Sequence, residues 1–263
     1  QIVRCRLSLV LANDITAPLA IKSFKKMGAA AVFDKDKVAI VADHFTPNKD
    51  IASAEQVKVC RDFAKEMGIT HYFEGGNVGV EHALLPELGL VGPGDVVIGA
   101  DSHTCTYGGL GAFATGMGST DIAGGMALGE TWFKVPPTIQ VVLTGTLGEF
   151  VGGKDLMLAL IGTIGVSGAL YKALEFTGPL ASSLSIEGRM TMSNMAIEAG
   201  GKVGLFPVDA KTLEYAAAHG RKGDVALTAD AGATYERVVT IDATGMEPQI
   251  ACPHLPDNRS EER

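Results

Sequence analysis

Apolar positions along the chain change period repeatedly, and each change marks an element. Ile2 to Val10 alternates and reads as a strand. After Asp14 to Pro18 a helical pattern runs through Phe24, and Lys37 to Ala42 is a short apolar run, a buried strand ending at Asp43-His44. Ser53 to Met67 has helical spacing, with Ser53 as N-cap and Gly68 as its stop. Asp95 to Ala100 is a second apolar strand and ends at Asp101-Ser102-His103; beyond the glycines that follow, a helix begins near Thr120, capped by Ser119 or Thr120.

Val135-Pro136-Pro137 interrupts this order, and Thr138 to Thr144 opens a new strand. A helix over Asp155 to Ile164, the segment Met190 to Ala199 and a helix over Ala210 to His219 follow. Apolar strands alternating with helices predict an α/β fold with mainly parallel or mixed sheets flanked by helices, in which ligands gather outside the carboxyl ends of the strands. The expected division is 1–137 and 138–255, two α/β units, with 256–263 as a polar linker severed on its way to a missing domain.

Composition narrows the function classes. Hydrophobic residues make up 46% and charged residues 20% of 263, an ordinary globular balance. The formal charge of −8 and the absence of a basic run argue against nucleic acid, while an anionic small molecule stays open, because local donors bind anions whatever the global sign. No apolar run approaches the roughly 18 residues of a membrane span. Cys5, Cys60, Cys105 and Cys252 are scattered without a CxxC pair, which fits a reducing cytoplasm. The glycines crowd into Gly108 to Gly129, where close backbone approach is expected.

Two acid-histidine pairs carry the candidate chemistry. Asp43-His44 stands at a strand-to-loop junction, where a carboxylate fixes the imidazole tautomer for proton transfer; a capping role is the alternative. Asp101-Ser102-His103-Thr104-Cys105-Thr106 leads into glycines, so a ligand there can meet side chains and backbone amides together; the alternative is a hydrogen-bonded turn. His82 and the pair Asn194 and Glu198, four apart and so on one helical face, form a third set that a solvated helix also explains. His71, His219 and His254 lack such context. Gly148 to Asp155 matches a phosphate-binding loop except at its last position, where Asp155 replaces the hydroxyl and reads as an N-cap. A zinc-type hydrolase built from Asp43, His44, Asp101 and His103 has the ligand types without the usual spacing.

Leu11 to Pro18, Asp43 to Lys49, Asp101 to Gly108 and Thr131 to Pro136 together resemble the aconitase superfamily, with similarity running from Ile2 to about Asn258. The Thr-Cys-Thr-Tyr-Gly and His-Phe-Thr-Pro-Asn-Lys wording is similar to the isopropylmalate dehydratase and homoaconitase branch of that superfamily. The resemblance implies a 4Fe-4S hydro-lyase subunit acting on a small di- or tricarboxylate, with 2- and 3-isopropylmalate in leucine biosynthesis as the expected substrates and homoaconitate or another 2-alkylmalate as the alternative. It implies Asp43 with His44, His82 with Asp101 and His103 with Glu198 as catalytic pairs, and Asn13, Ser102 and Asn194 as substrate contacts. It also implies that the cluster cysteines lie downstream of this chain. No metal or cluster is then expected on the chain itself, a separate small subunit is the expected partner, and the chain alone should be inactive.

Overall fold

The structure is a computed structural model that describes residues 1–261. By contacts the chain divides into two compact units, 1–91 with 95–104 and 114–135, and 92–94 with 105–113 and 136–263. The last change from one unit to the other falls between Val135 and Pro136, and two short segments that precede it in the chain belong to the second unit.

In the first unit, β1 (Ile2–Arg6), β2 (Leu9–Asn13), α1 (Ala17–Lys26), β3 (Val38–Val41), α2 (Ile51–Met67), β4 (His71–Phe73), α3 (Glu81–Glu87), β5 (Val96–Gly99), β6 (Phe113–Gly116), α4 (Ser119–Leu128) and β7 (Glu130–Lys134) follow one another. The five-stranded sheet has the order β4-β3-β2-β5-β6, and the pairs β4/β3, β3/β2 and β2/β5 are parallel. Every residue of β2 and β3 is buried, which is why these strands read as unbroken apolar runs. Because the three central strands β3, β2 and β5 run parallel, their carboxyl ends share one edge of the sheet, and each ends in a polar motif there: Asn13-Asp14, Asp43-His44 and Asp101-Ser102-His103.

The single strand expected over Ile2 to Val10 is two. Ser8 breaks it: Leu7 N–H bonds Gly129 and Ser8 N–H bonds Val96, turning the chain from an antiparallel β1–β7 ribbon into the sheet. Helix caps also differ from expectation. Asp50, not Ser53, caps α2: its Oδ1 accepts the Ser53 N–H at 2.8 Å, while Ser53 Oγ accepts the Asp50 N–H at 3.2 Å. Gly118 rather than Ser119 or Thr120 precedes α4. Replacing Asp50 by alanine should lower stability, read as a lower urea midpoint with unchanged slope; an unchanged midpoint would mean the box contributes nothing.

The second unit contains β8 (Thr138–Thr144), α5 (Gly153–Ile164), β9 (Ala173–Thr177), α6 (Pro179–Ser183), α7 (Ile186–Asn194), β10 (Val203–Leu205), α8 (Ala210–Ala218), β11 (Arg237–Asp242), β12 (Gln249–Ala251) and β13 (Arg259–Glu261). Its four-stranded sheet, β10-β9-β8-β11, is parallel throughout. Leu156, Leu160, Phe176 and Phe206 belong to one core with Ile139, Val141 and Leu143 of β8. Asp155 is not the N-cap of α5 but its third residue: Oδ2 accepts the Gly152 N–H at 2.8 Å and Oδ1 the Gln249 N–H at 2.7 Å. The tail expected as a linker instead pairs β13 with β12, and Arg259 bonds the Gln249 side chain; residues 262 and 263 lie outside the described part.

Candidate functional site

At the carboxyl edge of the first unit's sheet the three polar motifs, joined by Glu81 and His82 from the start of α3, form one hydrogen-bonded network. Asn13 is 1% exposed; its Oδ1 accepts the N–H groups of Ile15 and Thr16 and the Thr16 hydroxyl, and its Nδ2 donates to Glu81 Oε1 at 3.1 Å and Asp101 Oδ2 at 3.5 Å. Buried Asp14 accepts the backbone N–H of His44 at 3.1 Å and of Phe45 at 2.9 Å, which fixes the loop after β3 against the end of β2. Asp43 bridges two elements, with Oδ1 2.7 Å from His44 Nδ1 and Oδ2 accepting the Glu81 N–H at 2.7 Å, so a negative side chain sits at the positive end of α3.

Asp101 is the hub. Its Oδ1 lies 3.0 Å from His82 Nε2 and accepts the His103 N–H at 2.7 Å, and its Oδ2 lies 3.8 Å from His44 Nε2. Burial pushes this carboxyl up, but the hydrogen bonds from His103 and His82 outweigh it and hold Asp101 well below the usual carboxylate range. Asp101 is therefore an acceptor, and His82 Nε2 carries the shared proton. Ser102, exposed, has its hydroxyl 3.1 Å from His103 Nδ1. The Thr104 hydroxyl donates to the Asp101 carbonyl at 2.7 Å and closes the turn.

The neighbouring carboxyl behaves oppositely. Glu81 is 1% exposed and is pushed up to about 8, first by burial and then by Asp43, Asp101 and Asp14, against the Asn13 hydrogen bond that lowers it. Two acids separated by one imidazole are thus driven apart, one ionised and one carrying a proton near neutral pH. Nothing in the local sequence around Glu81 marks it as buried.

Asp43, His44, His82, Asp101, His103, Asn13 and Ser102 all belong to the first unit. Asn194 and Glu198 belong to the second, and they do not share the face of one α-helix: α7 ends at Asn194, and Glu198 lies in a 3-10 turn, Met195–Ala199. Both are half-buried, so the solvated-helix alternative does not describe them. Asn194 Nδ2 donates to Thr106 Oγ1 at 2.8 Å, and the Cys105 thiol donates to the Asn194 carbonyl at 3.3 Å. Lys154 of the phosphate-loop look-alike gives its amine to the Gln249 carbonyl at 2.9 Å beside buried Asp155, an arrangement that ties β12 to α5.

A sequence profile of the Aconitase family (aconitate hydratase) matches residues 2–261. The chain belongs to the aconitase family. It is 75% identical over 258 residues to the 3-isopropylmalate dehydratase large subunit of Nitratidesulfovibrio vulgaris (strain DSM 19637 / Miyazaki F), covering 98% of this chain and 62% of that protein. Identity is 61% to the 3-isopropylmalate dehydratase large subunit of Moorella thermoacetica and 58% to the 3-isopropylmalate dehydratase large subunit 1 of Pyrococcus abyssi, over 98% of this chain and 61% of each. Among solved structures, aconitase X of Thermococcus kodakaraensis (holo-form) superposes with a TM-score of 0.50 at 12% identity, over 91% of this chain and 57% of that one, a likeness of fold. The chain therefore spans 62% of the length of the first curated relative.

Aconitase family members are known for a 4Fe-4S cluster, and the thiols of this chain do not fit one. Cys60 is buried and its thiol is pushed up to about 12 by burial, Cys105 is buried, and Cys5 and Cys252 are half-buried. Among the described residues none of the four joins a group of three or more potential ligands. Asp14, Asp43 and His44, and Glu81, His82 and Asp101, do bring one ligand-type atom each within 4.8 Å. Both oxygens of Asp14 and of Asp43 are engaged in hydrogen bonds within the protein, as are Glu81 Oε1 and both oxygens of Asp101, so these groups build an acid-base network rather than an open cage. No helix among the described residues is long and apolar enough to cross a membrane.

Proposed function

We propose that the whole protein is the large subunit of a 3-isopropylmalate dehydratase, a hydro-lyase that interconverts 2- and 3-isopropylmalate by dehydration and rehydration in leucine biosynthesis. The observation that carries this reading is 75% identity, over 98% of the chain, to a protein of that name. On this reading the protein works with a small subunit. A 4Fe-4S cluster is then held by cysteines in the part that this chain does not span.

Dehydration breaks a carbon-oxygen bond and removes a proton from the carbon next to a carboxylate; rehydration adds both to the neighbouring carbons in exchanged positions. Both directions need groups that hold and return protons near neutral pH. Asp43 orients His44 through Nδ1, and the opposite nitrogen Nε2, 3.8 Å from Asp101 Oδ2 on a ring 36% exposed, is the one placed to give a proton to the departing hydroxyl. Asp101 orients His82 through Nε2 and the backbone of His103, whose ring has Nδ1 beside the Ser102 hydroxyl. Exposed Ser102 then serves as a polar contact for the substrate's carboxylates and hydroxyl, buried Asn13 holds Asp101 and Glu81 in place behind it, and Asn194 and Glu198 take the roles that the family resemblance implies.

The test is isomerisation of isopropylmalate by the intact large subunit, reconstituted anaerobically with iron and sulfide and mixed with its small subunit, with homocitrate and homoaconitate run in parallel. Activity on isopropylmalate that disappears in His103→Ala supports both reaction and site. Activity on homoaconitate alone would keep the chemistry and change the substrate, and turnover of neither would overturn the reading.

A further inference from the structure

Glu81 occupies a place that the mechanism above leaves without a role. It is the first residue of α3, its backbone N–H is held by Asp43 Oδ2 at 2.7 Å, and its side chain turns inward from the helix start to 1% exposure. There Oε1 meets the amide of Asn13 at 3.1 Å and lies 3.7 Å from His82 Nε2, on the same nitrogen that is 3.0 Å from Asp101 Oδ1. One imidazole N–H is thus flanked by two carboxyl groups. The titratable groups that face Glu81 are Asp14 at the end of β2, Asp43 after β3, His82 on α3 and Asp101 after β5, while His44 and His103 stand against Asp101. Three of them are carboxylates crowded around a carboxyl that water does not reach, an environment in which a fourth negative charge is costly and a neutral acid is favoured.

We propose that Glu81 is a positioning residue: it holds a proton behind the site and so sets the number of negative charges that the His82 ring faces. With Glu81 neutral, Asp101 alone supplies charge to His82, and the His82-Asp101 pair keeps its direction, Nε2–H toward Asp101. Its acid form also keeps Asn13 in place, since its carbonyl oxygen still accepts from Nδ2. Once Glu81 ionises, a second carboxylate competes for the same N–H and for the Asn13 amide, so the ring is drawn toward α3 and away from the hub. Placement at about 8 puts that change just above neutral pH, so the arrangement is intact at pH 7.

This inference rests on the dehydratase reading for its consequence, not for its test. The test uses the intact large subunit with its small subunit and the variants Glu81→Gln and Glu81→Asp. Glutamine keeps the carbonyl for Asn13 and cannot ionise; aspartate can ionise and guards against a folding defect in the glutamine variant. Infrared difference spectra of wild type against E81Q should show a protonated carboxylic acid carbonyl at pH 7 that vanishes as pH rises through about 8. Histidine-labelled NMR should show a second step in the His82 resonances over the same range, lost in E81Q and kept, shifted, in E81D. In turnover, E81Q should lose the alkaline limb of the kcat/KM profile, whereas a merely structural role would scale the whole profile by one factor. Absence of the carbonyl band, or a His82 titration identical in wild type and E81Q, overturns the proposal. Wild type that shows band and step but no turnover of isopropylmalate overturns the functional reading and leaves the role of Glu81 standing.

Discussion

On the proposed dehydratase reading, replacing Asp101 by asparagine should lower turnover of the assembled enzyme by roughly 10²- to 10⁴-fold, the range for loss of a positioned acid-base group. The substitution keeps the shape but exchanges one acceptor oxygen for an amide, so either His82 Nε2 or the His103 N–H loses the charged acceptor that both now share. The loss should appear in kcat, measured by isopropylmalate isomerisation, with the far-ultraviolet spectrum unchanged. Stability carries a second signature. Asp101 is held below its usual range, so its contribution is fully present above the unfolded value near about 4 and drains away as pH falls toward the folded value. The acid side of the wild-type stability curve should therefore be steeper than that of D101N. Turnover within twofold of wild type would remove Asp101 from the mechanism.

Replacing Arg189 by methionine should destabilise the second unit by about 3 kcal/mol, the low end for breaking a buried ion pair, because Asp209 keeps one face in water. Arg189 is 1% exposed; it gives Nη1 and Nη2 to the two oxygens of Asp209 at 3.0 and 2.6 Å, bonds Thr212 Oγ1 and the Ser182 carbonyl, and lies 5.7 Å from the centre of the Phe206 ring. Methionine fills much of the space and leaves those acceptors unmatched. Burial raises the Asp209 carboxyl, but the Arg189 hydrogen bond and the Thr212 N–H bring it down to about 2. Its contribution is accordingly present above about 4 and lost as pH falls through 2. Urea unfolding at pH 7 should show the full effect, and adding Asp209→Asn to R189M should recover part of it. A midpoint unmoved by R189M would mean that packing around Phe206 holds α7 without the charge.

What the sequence made legible and what it hid have physical causes. Strands β2, β3 and β5 are readable because a parallel strand covered on both faces must be apolar throughout, and the acid-histidine motifs are readable because they follow those strands at once. The fold class and the family resemblance rest on the same residues, and both hold. Ser53 was misplaced because its hydroxyl takes part in the capping box three residues inside the helix, and either end of such a box looks like a cap in one dimension. Asp155 misleads in the same way. Glu81 was passed over because an acid in a helix's first turn is ordinary on the surface, and only the amide of Asn13, 68 residues away, reveals that it points inward. Arg189 hides for the same reason. The tail looked like a linker because β13 is too short and too polar to carry a pattern; backbone pairing to β12 makes it a strand.

Residues 105–113 belong to the second unit although 114–135, with α4 and β7, come after them in the chain and belong to the first. Gly108 lies so close to β10 that a Cβ there would stand 1.8 Å from the Gly204 carbonyl oxygen, and one on Gly109 would stand 2.6 Å from the Met190 nitrogen of α7. A gene cut at Pro137 would thus give the downstream piece a sheet and a helix whose lining had stayed with the upstream piece. The two halves are stitched rather than strung, so shuffling domains, splitting the protein for complementation or moving its termini has to follow the stitch, and a cut in chain order tears both cloths.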